Sequence, residues 1–323
     1  MVTLKKRLAF LLVLTILAQP VFSQYEYDGV RVSLSNDGVI IFEHEAFTKS
    51  TGRFKTWGPA WSWEDACSLQ DNWVSLHADA GDVEASFEGS FTCSFAQVSW
   101  REQAWFGVDS ILLELTLSAD KDSNFSGLAW DLDLPISLFA GQTVSIILMN
   151  KSIKTVKLRE THVPGTWVIE GSQYSNGIGW VVPYTSETGL VLAVFGEAWP
   201  GGMSIHVEDN RQWGGTAYSL RNWLFFDLAL PPGVLVKLYV YIRVYKSLEE
   251  VEAGIQLINE LSEMIQRGVS GDSVKSYLID QLNLEEAAAI RRARGPPTML
   301  LAYAGIAVVA TIVVVYSLTR KRK

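Results

Sequence analysis

The stretch that decides the fold runs from Tyr218 to Tyr245: YSLRNWLFFDLAL, then PPG, then VLVKLYVYIRVY. In the second run Val236, Leu238, Val240, Ile242 and Val244 share one face. Lys237, Tyr239, Tyr241, Arg243 and Tyr245 share the other. A period of two is a β-strand, with one face in a core and the other aromatic and partly wet. Pro231, Pro232 and Gly233 break the chain between the two runs.

Working outward, the same pattern fills the chain from Tyr25 onward. Val30–Leu34 and Val39–Phe42 flank Asn36-Asp37-Gly38, a turn sequence that tolerates positive φ and predicts a hairpin. Further strands are expected at Val83–Phe87, Phe91–Trp100, Ile111–Leu117, Val144–Met149, Trp167–Glu170 and Leu190–Phe195. Fourteen to sixteen strands are too many for one immunoglobulin-sized sandwich of ~100 residues. The fold class is therefore mainly β, a large antiparallel β-sandwich over residues 24–246. Two tandem sandwiches split near Asp120–Ser126 are the alternative, but no repeat and no Pro/Ser-rich linker marks that point.

After Tyr245 the pattern turns helical. Ser247-Leu248-Glu249-Glu250 is a capping box, and Leu248, Val251, Ile255, Ile258 and Ile265 follow helical spacing. Gly268 suits the C′ position. A second stretch runs from Asp272 to Arg294 with a break at Asn283. Residues 247–297 read as a helical stalk or hairpin, with oligomer or membrane-partner contacts as its functional role and packing on its own domain as the plainer one. No clean heptad persists, which favours the plainer role.

The ends set the compartment. Lys5, Lys6 and Arg7 precede an 11-residue apolar run, Leu8–Ala18, and then Pro20, so residues 1–23 read as a signal peptide. Residues 298–319 form one apolar segment with 20 uncharged residues from Met299 to Leu318, long enough to span ~30 Å of bilayer. Arg320, Lys321, Arg322 and Lys323 follow as a basic cytoplasmic tail. The expectation is a single-pass type I protein of a prokaryotic cell membrane, held in lipid through 298–319 with its N-terminal domain outside.

Of 323 residues 48% are hydrophobic and 19% charged, which excludes a disordered chain. Without the three basic residues of the leader and the four of the tail, 20 Lys and Arg face 35 Asp and Glu, net −15. That charge, with no basic aromatic stripe, excludes nucleic-acid binding. Cys67 and Cys93 are the two cysteines; a disulfide between them would close a 27-residue loop and contribute roughly 3–4 kcal/mol. Asn124-Phe125-Ser126 and Asn150-Lys151-Ser152 are glycosylation sequons.

Chemistry is less plainly written. No nucleophile elbow, phosphate loop, zinc motif or dinucleotide fingerprint is present, and no cofactor or metal is expected. The four histidines, His44, His77, His162 and His206, are far apart in sequence. Asp120-Lys121-Asp122-Ser123-Asn124 opens like a calcium loop but has Phe125 where Gly is needed. Asp131 and Asp133 would share a strand face with carboxyls ~7 Å apart, as a carboxylate pair or as a solvent-facing edge over buried Trp130, Leu132 and Leu134. Glu197 and Asp209 are the other candidate catalytic carboxylates. Trp199, His206, Arg211 and Trp213 crowd with them into a Gly-rich segment, where indoles would stack on sugar rings and the polar groups fix hydroxyls. Trp57, Trp61 and Trp63 form a second aromatic cluster among twelve tryptophans.

The size, the many strands and the run Asp209-Asn210-Arg211-Gln212-Trp213-Gly214-Gly215 before two long strands resemble galactose-mutarotase-type supersandwich domains. The resemblance covers about residues 25–245. It implies a fold found in carbohydrate epimerases, lyases and glycosidases. It also implies a His and a carboxylate as working groups, His162 or His206 with Glu197 or Asp209. The expected function is a surface module that binds carbohydrate or serves structure. A carboxylate-based carbohydrate enzyme and an accessory subunit joined through the stalk are the alternatives.

Overall fold

The computed structural model describes residues 22–27, 29–34, 39–44, 47–61, 73–77, 83–92, 95–165, 167–169, 176–196 and 204–294. Residues 1–21 of the segment read as a leader, Cys67, Cys93, Trp63, Glu197, Trp199 and the segment 298–319 lie outside these residues, whereas Phe22 and Ser23 begin β1.

Two antiparallel sheets make one sandwich. The seven-stranded sheet runs in the order β1 (Phe22–Tyr27), β2 (Val30–Leu34), β3 (Ile40–His44), β4 (Phe47–Trp57), β9 (Ser123–Pro135), β15 (Ala217–Leu230), β14 (Ser204–Asp209). The nine-stranded sheet runs β11 (Ile153–Lys157), β10 (Thr143–Leu148), β12 (Gly177–Pro183), β13 (Gly189–Gly196), β16 (Leu235–Tyr245), β8 (Ser110–Ala119), β7 (Gln97–Phe106), β6 (Glu84–Thr92), β5 (Trp73–His77). The expected β2–β3 pairing is present, with Val30 opposite His44 and Leu34 opposite Ile40.

The tandem alternative fails at its own boundary. Residues 120–122 carry the chain from β8 in one sheet to β9 in the other, and β9 pairs with both β4 and β15. The halves therefore interleave. Trp130 and Trp180 are fully buried between the sheets, and Trp180 Nε1 donates to Asn222 Oδ1 across them at 2.7 Å. The hydrogen bond satisfies the indole N–H and the amide oxygen in a core that is otherwise mostly apolar.

Two strand expectations need correction. Phe91–Trp100 is not one strand: it is divided between β6 and β7, which pair as a hairpin. Of Trp167–Glu170, the described residues 167–169 hold a single bridge, between Ile169 and Val207. The two long runs beside Pro231-Pro232-Gly233 belong to different sheets, β15 and β16. Gly233, at φ +77°, donates to the Ala119 carbonyl at 3.1 Å, so the turn ties the crossing to the end of β8.

On the outer face of β16 Lys237 and Arg243 stay partly exposed, but the tyrosines do not. Tyr239, Tyr241 and Tyr245 are buried. α1 (Ile136–Phe139) is a short turn after β9, but the three later helices cover this sheet: α2 (Leu248–Gln266), α3 (Gly271–Gln281) and α4 (Leu284–Arg294). The Ser247 hydroxyl accepts from the Glu250 N–H, and Gly268 sits at φ +73° after the helix, as its sequence predicts. Leu257, Ile258 and Leu261 are buried in the core, each worth roughly 1.5–3 kcal/mol. Gly254 lets α2 lie close to β13: an added Cβ would meet Val191 at 3.1 Å. The break at Asn283 is present, at φ +52°.

The helices are thus a cover rather than a free-standing stalk, because their apolar stripe finds its partner on the chain's own sheet. Lys237 bonded to Asp272 at the margin and Lys275 bonded to buried Glu114 pin α3 to the sheet. Among the described residues no helix is long and apolar enough to cross a membrane.

Candidate functional site

The outer face of the seven-stranded sheet is built differently. Strand alternation sends Trp130, Leu132 and Leu134 inward and Asp131 and Asp133 outward. Register then places Arg53 of β4 and Arg221 of β15 on either side of Asp131, and His206 of β14 beside Arg221. Four adjacent strands therefore deliver charged side chains to one patch.

Asp131 is its centre and has no exposed surface. Arg221 grips it with two parallel bonds, Nε to Oδ1 at 2.9 Å and Nη2 to Oδ2 at 2.8 Å. Lys55 Nζ adds a third at 2.7 Å and lies 3.5 Å from Asp133. Arg221 Nη1 also meets Glu208 Oε2 at 2.9 Å. Glu208 Oε1 accepts from Gln212 Nε2 at 2.9 Å and Trp213 Nε1 at 2.7 Å. Asp133 accepts from the Ser219 hydroxyl and lies 3.7 Å from Arg53. Three cations face three carboxylates, a balance that keeps the buried network neutral.

The electrostatics follow from that packing. Burial opposes ionisation of Asp131, but the Arg221 and Lys55 charges outweigh it and hold the carboxyl well below the usual carboxylate range. For Arg221 burial favours the neutral form, and Asp131 and Glu208 more than offset it, raising its pKa. His206 is pushed down to about 4, first by burial and then by the Arg221 charge, against the pull of Asp131. It is a neutral imidazole at ordinary pH, and its buried Nδ1 has no hydrogen-bond partner among the described residues.

Indoles roof the network. The Arg221 guanidinium lies 4.6 Å from the Trp57 ring centre and 5.1 Å from that of Trp223. Trp57 and Trp61 pack on Trp223 at 4.7 and 5.4 Å between ring centres. His206 stands edge-on between Trp167 and Trp223, at 5.0 and 5.7 Å. Gly127 makes room for this: a Cβ there would meet Trp223 at 2.5 Å and Trp61 at 3.0 Å. Trp61 is half exposed and holds φ +62°, a strained conformation for a bulky residue.

The other predicted residues separate into two groups. Trp213, with 75% of its surface exposed, joins this face through Glu208. Arg211 and Asp209 do not. Arg211 Nε and Nη2 hold both oxygens of Asp209, Nη1 donates to the Glu160 carbonyl at 2.8 Å, and Nη2 donates to the Arg159 carbonyl at 3.1 Å. The Tyr218 hydroxyl donates to the same Arg159 carbonyl, and His162 Nδ1 lies 3.5 Å from Asp209. Burial raises the Asp209 pKa, but the Arg211 bonds prevail and lower it. Arg211 is thus a latch for the segment after β11, with its donors committed to protein acceptors rather than to a ligand.

No family model matches the sequence, and no curated protein does. Solved structures do resemble the fold. A protein of Synechocystis sp. PCC 6803 has 11% identity and a TM-score of 0.45, over 71% of this chain and 96% of its own. A galactose mutarotase-like protein from Lactobacillus casei ATCC 334 has 9% identity and a TM-score of 0.45, over 69% and 99%. A galactose mutarotase related enzyme from Lactobacillus acidophilus has 8% identity and a TM-score of 0.39, over 70% and 97%. The chain is similar in architecture to galactose mutarotase-like proteins. At this level the likeness concerns strand layout and carries no activity with it.

Sequence reasoning missed Lys55, Arg53 and Arg221. Their signal is faint: Arg53 and Lys55 sit at i and i+2, as Asp131 and Asp133 do, so each pair shares a strand face. Nothing in the sequence says that strands 76 residues apart are neighbours. Among the described residues no cluster of three or more His, Cys, Asp and Glu side chains is arranged to hold a metal.

Proposed function

We propose that the outer face of the seven-stranded sheet binds carbohydrate, on a domain displayed outside the cytoplasm. One observation carries the reading: Trp57, Trp61, Trp167 and Trp223 gather with neutral His206 over a buried, charge-balanced network. Half-exposed Trp61 and well-exposed Trp213 supply flat apolar surface, and Gln212 and His206 supply polar edges. The ions beneath hold the rings rather than meet the sugar. Asp131 is sealed from solvent and firmly ionised, so it suits neither a general acid nor a nucleophile. Binding is therefore favoured over a mechanism built on Asp131 and Asp133.

The display rests on the sequence. The leader at 1–23 and the 20 uncharged residues before the basic tail support export and anchoring through 298–319. Protease accessibility of the domain on intact cells tests that part.

The site is tested by presenting the purified chain to a broad glycan array, with a reducing-sugar assay on the same samples. Trp61→Ala should weaken retention roughly five- to tenfold, about 1 kcal/mol or more, while stability changes little. Unchanged retention in both Trp61→Ala and Trp213→Ala would refute this surface. Turnover would shift the reading toward a carbohydrate-active enzyme and direct mutagenesis to His206.

A further inference from the structure

The sugar-binding reading leaves the two Asn-x-Ser triplets unexplained, and the fold treats them oppositely. Asn124 lies in β9 opposite Ala229 of β15, and its N–H donates to the Phe95 carbonyl at 3.1 Å. The hydroxyl of its triplet is not presented. Ser126 is buried, its Oγ accepts from the Trp61 N–H at 3.4 Å, and the next residue, Gly127, lies under Trp61 and Trp223. Offering Asn124 and Ser126 together would require peeling β9 from β15 and lifting the indoles.

Asn150 sits in the turn between β10 and β11 and is exposed. Its Oδ1 accepts from both the N–H and the hydroxyl of Ser152, at 3.0 and 2.7 Å. The triplet is therefore already folded on itself, with the amide and the hydroxyl together at the surface. Lys151 between them takes φ +68°, which makes the turn tight. α2 secures the turn from behind. The Met149 carbonyl accepts from Ser262 Oγ at 2.9 Å and Gln266 Nε2 at 2.8 Å, and Lys151 pairs with Glu263. These bonds hold the backbone and leave Asn150 Nδ2 without a hydrogen bond to any described residue.

We propose that Asn150, and not Asn124, is the acceptor of an N-linked glycan on the folded domain. This rests on the exported reading of the chain. The donor is a lipid-linked glycosyl diphosphate. Asn150 Nδ2 bonds to the anomeric carbon, and the bond from that carbon to the diphosphate oxygen breaks. The diphosphate leaves with the electron pair, and the amide proton passes to a base of the transferase. The attached glycan would stand beside the C-terminal half of α2, on the sheet opposite the indole face.

The test is production of the full chain in a host that N-glycosylates exported proteins, followed by intact mass and glycopeptide mapping. One glycan mass is expected, on the peptide that contains Asn150. Asn150→Gln and Ser152→Ala should remove it, Ser152→Thr should keep it, and Asn124→Gln should leave it in place. A glycan on Asn124, or a bare Asn150 in a chain whose leader has been cleaved, overturns the proposal. A chain that keeps its leader and stays protected from external protease overturns the exported reading, and the acceptor falls with it.

Discussion

The two outer faces of this sandwich solve the same problem in opposite ways. Each sheet buries one side against the other and must dispose of the second. The nine-stranded sheet covers its outer face with α2, α3 and α4, which bury Tyr239, Tyr241 and Tyr245 and leave two separate ion pairs among them, Glu114 with Lys275 and Asp109 with Arg243. The seven-stranded sheet places ions on its outer face, seals them by mutual pairing and roofs them with indoles. The first arrangement is general packing and tolerates change of shape. The second depends on each charge having its partner, and it costs stability that a hydrophobic layer would not cost. A fold retains such an arrangement more readily for a site than for a core.

The sharpest way to break that comparison is a shape-conserving change at the centre of each face. Asp131→Asn keeps the size of the side chain but leaves Arg221 and Lys55 buried without their main counter-charge. A loss of about 3–5 kcal/mol in denaturant unfolding is expected. A loss below about 1 kcal/mol would mean that water reaches the network, and that the two faces do not differ as described.

Ile258→Val is the matching change on the covered face, where Ile258 is fully buried in α2. Removing one methylene should cost only about 0.5–1.5 kcal/mol, because neighbouring apolar atoms close part of the gap. Equal losses for the two substitutions would erase the distinction between tolerant packing and pairwise charge.

How much of this was legible in the sequence differs between the faces. The helical cover was readable in its parts: the Ser247 capping box, the Val251-Ile255-Ile258-Ile265 spacing, Gly268 and the break at Asn283, although Leu248 of the same spacing is exposed. Local rules set each of these features. What the helices pack on was not local, so the burial of the β16 tyrosines could not be read, although Lys237 and Arg243 beside them are partly exposed as expected. On the other face, alternation around Asp131 and Asp133 fixed which side chains point outward. Their partners Lys55 and Arg221 lie 76 and 90 residues away in sequence and become neighbours only through strand order. Arg211 misled for the same reason. It looked like a ligand-binding guanidinium, yet its acceptors at Arg159 and Glu160 come from a loop some 50 residues earlier.

The remaining expected effect is a pH dependence confined to the indole face. His206 is faced by Arg221 and Asp131 and by the rings of Trp167 and Trp223. Its folded pKa is about 4, below the ordinary 6.5, so the folded state disfavours the protonated ring. Between those values the unfolded chain binds more protons than the folded one. Stability should therefore fall as pH drops from 6.5 toward 4, and this contribution should level off below 4. Asp131 acts in a separate window. Its lowered pKa gives stability that is complete above its ordinary 3.8 and is lost only as pH falls further. His206→Asn should flatten the upper slope and leave the acid limb intact, as read by urea unfolding at closely spaced pH values. An unchanged upper slope would mean that His206 is hydrated like any surface histidine, and that the indoles do not enclose it.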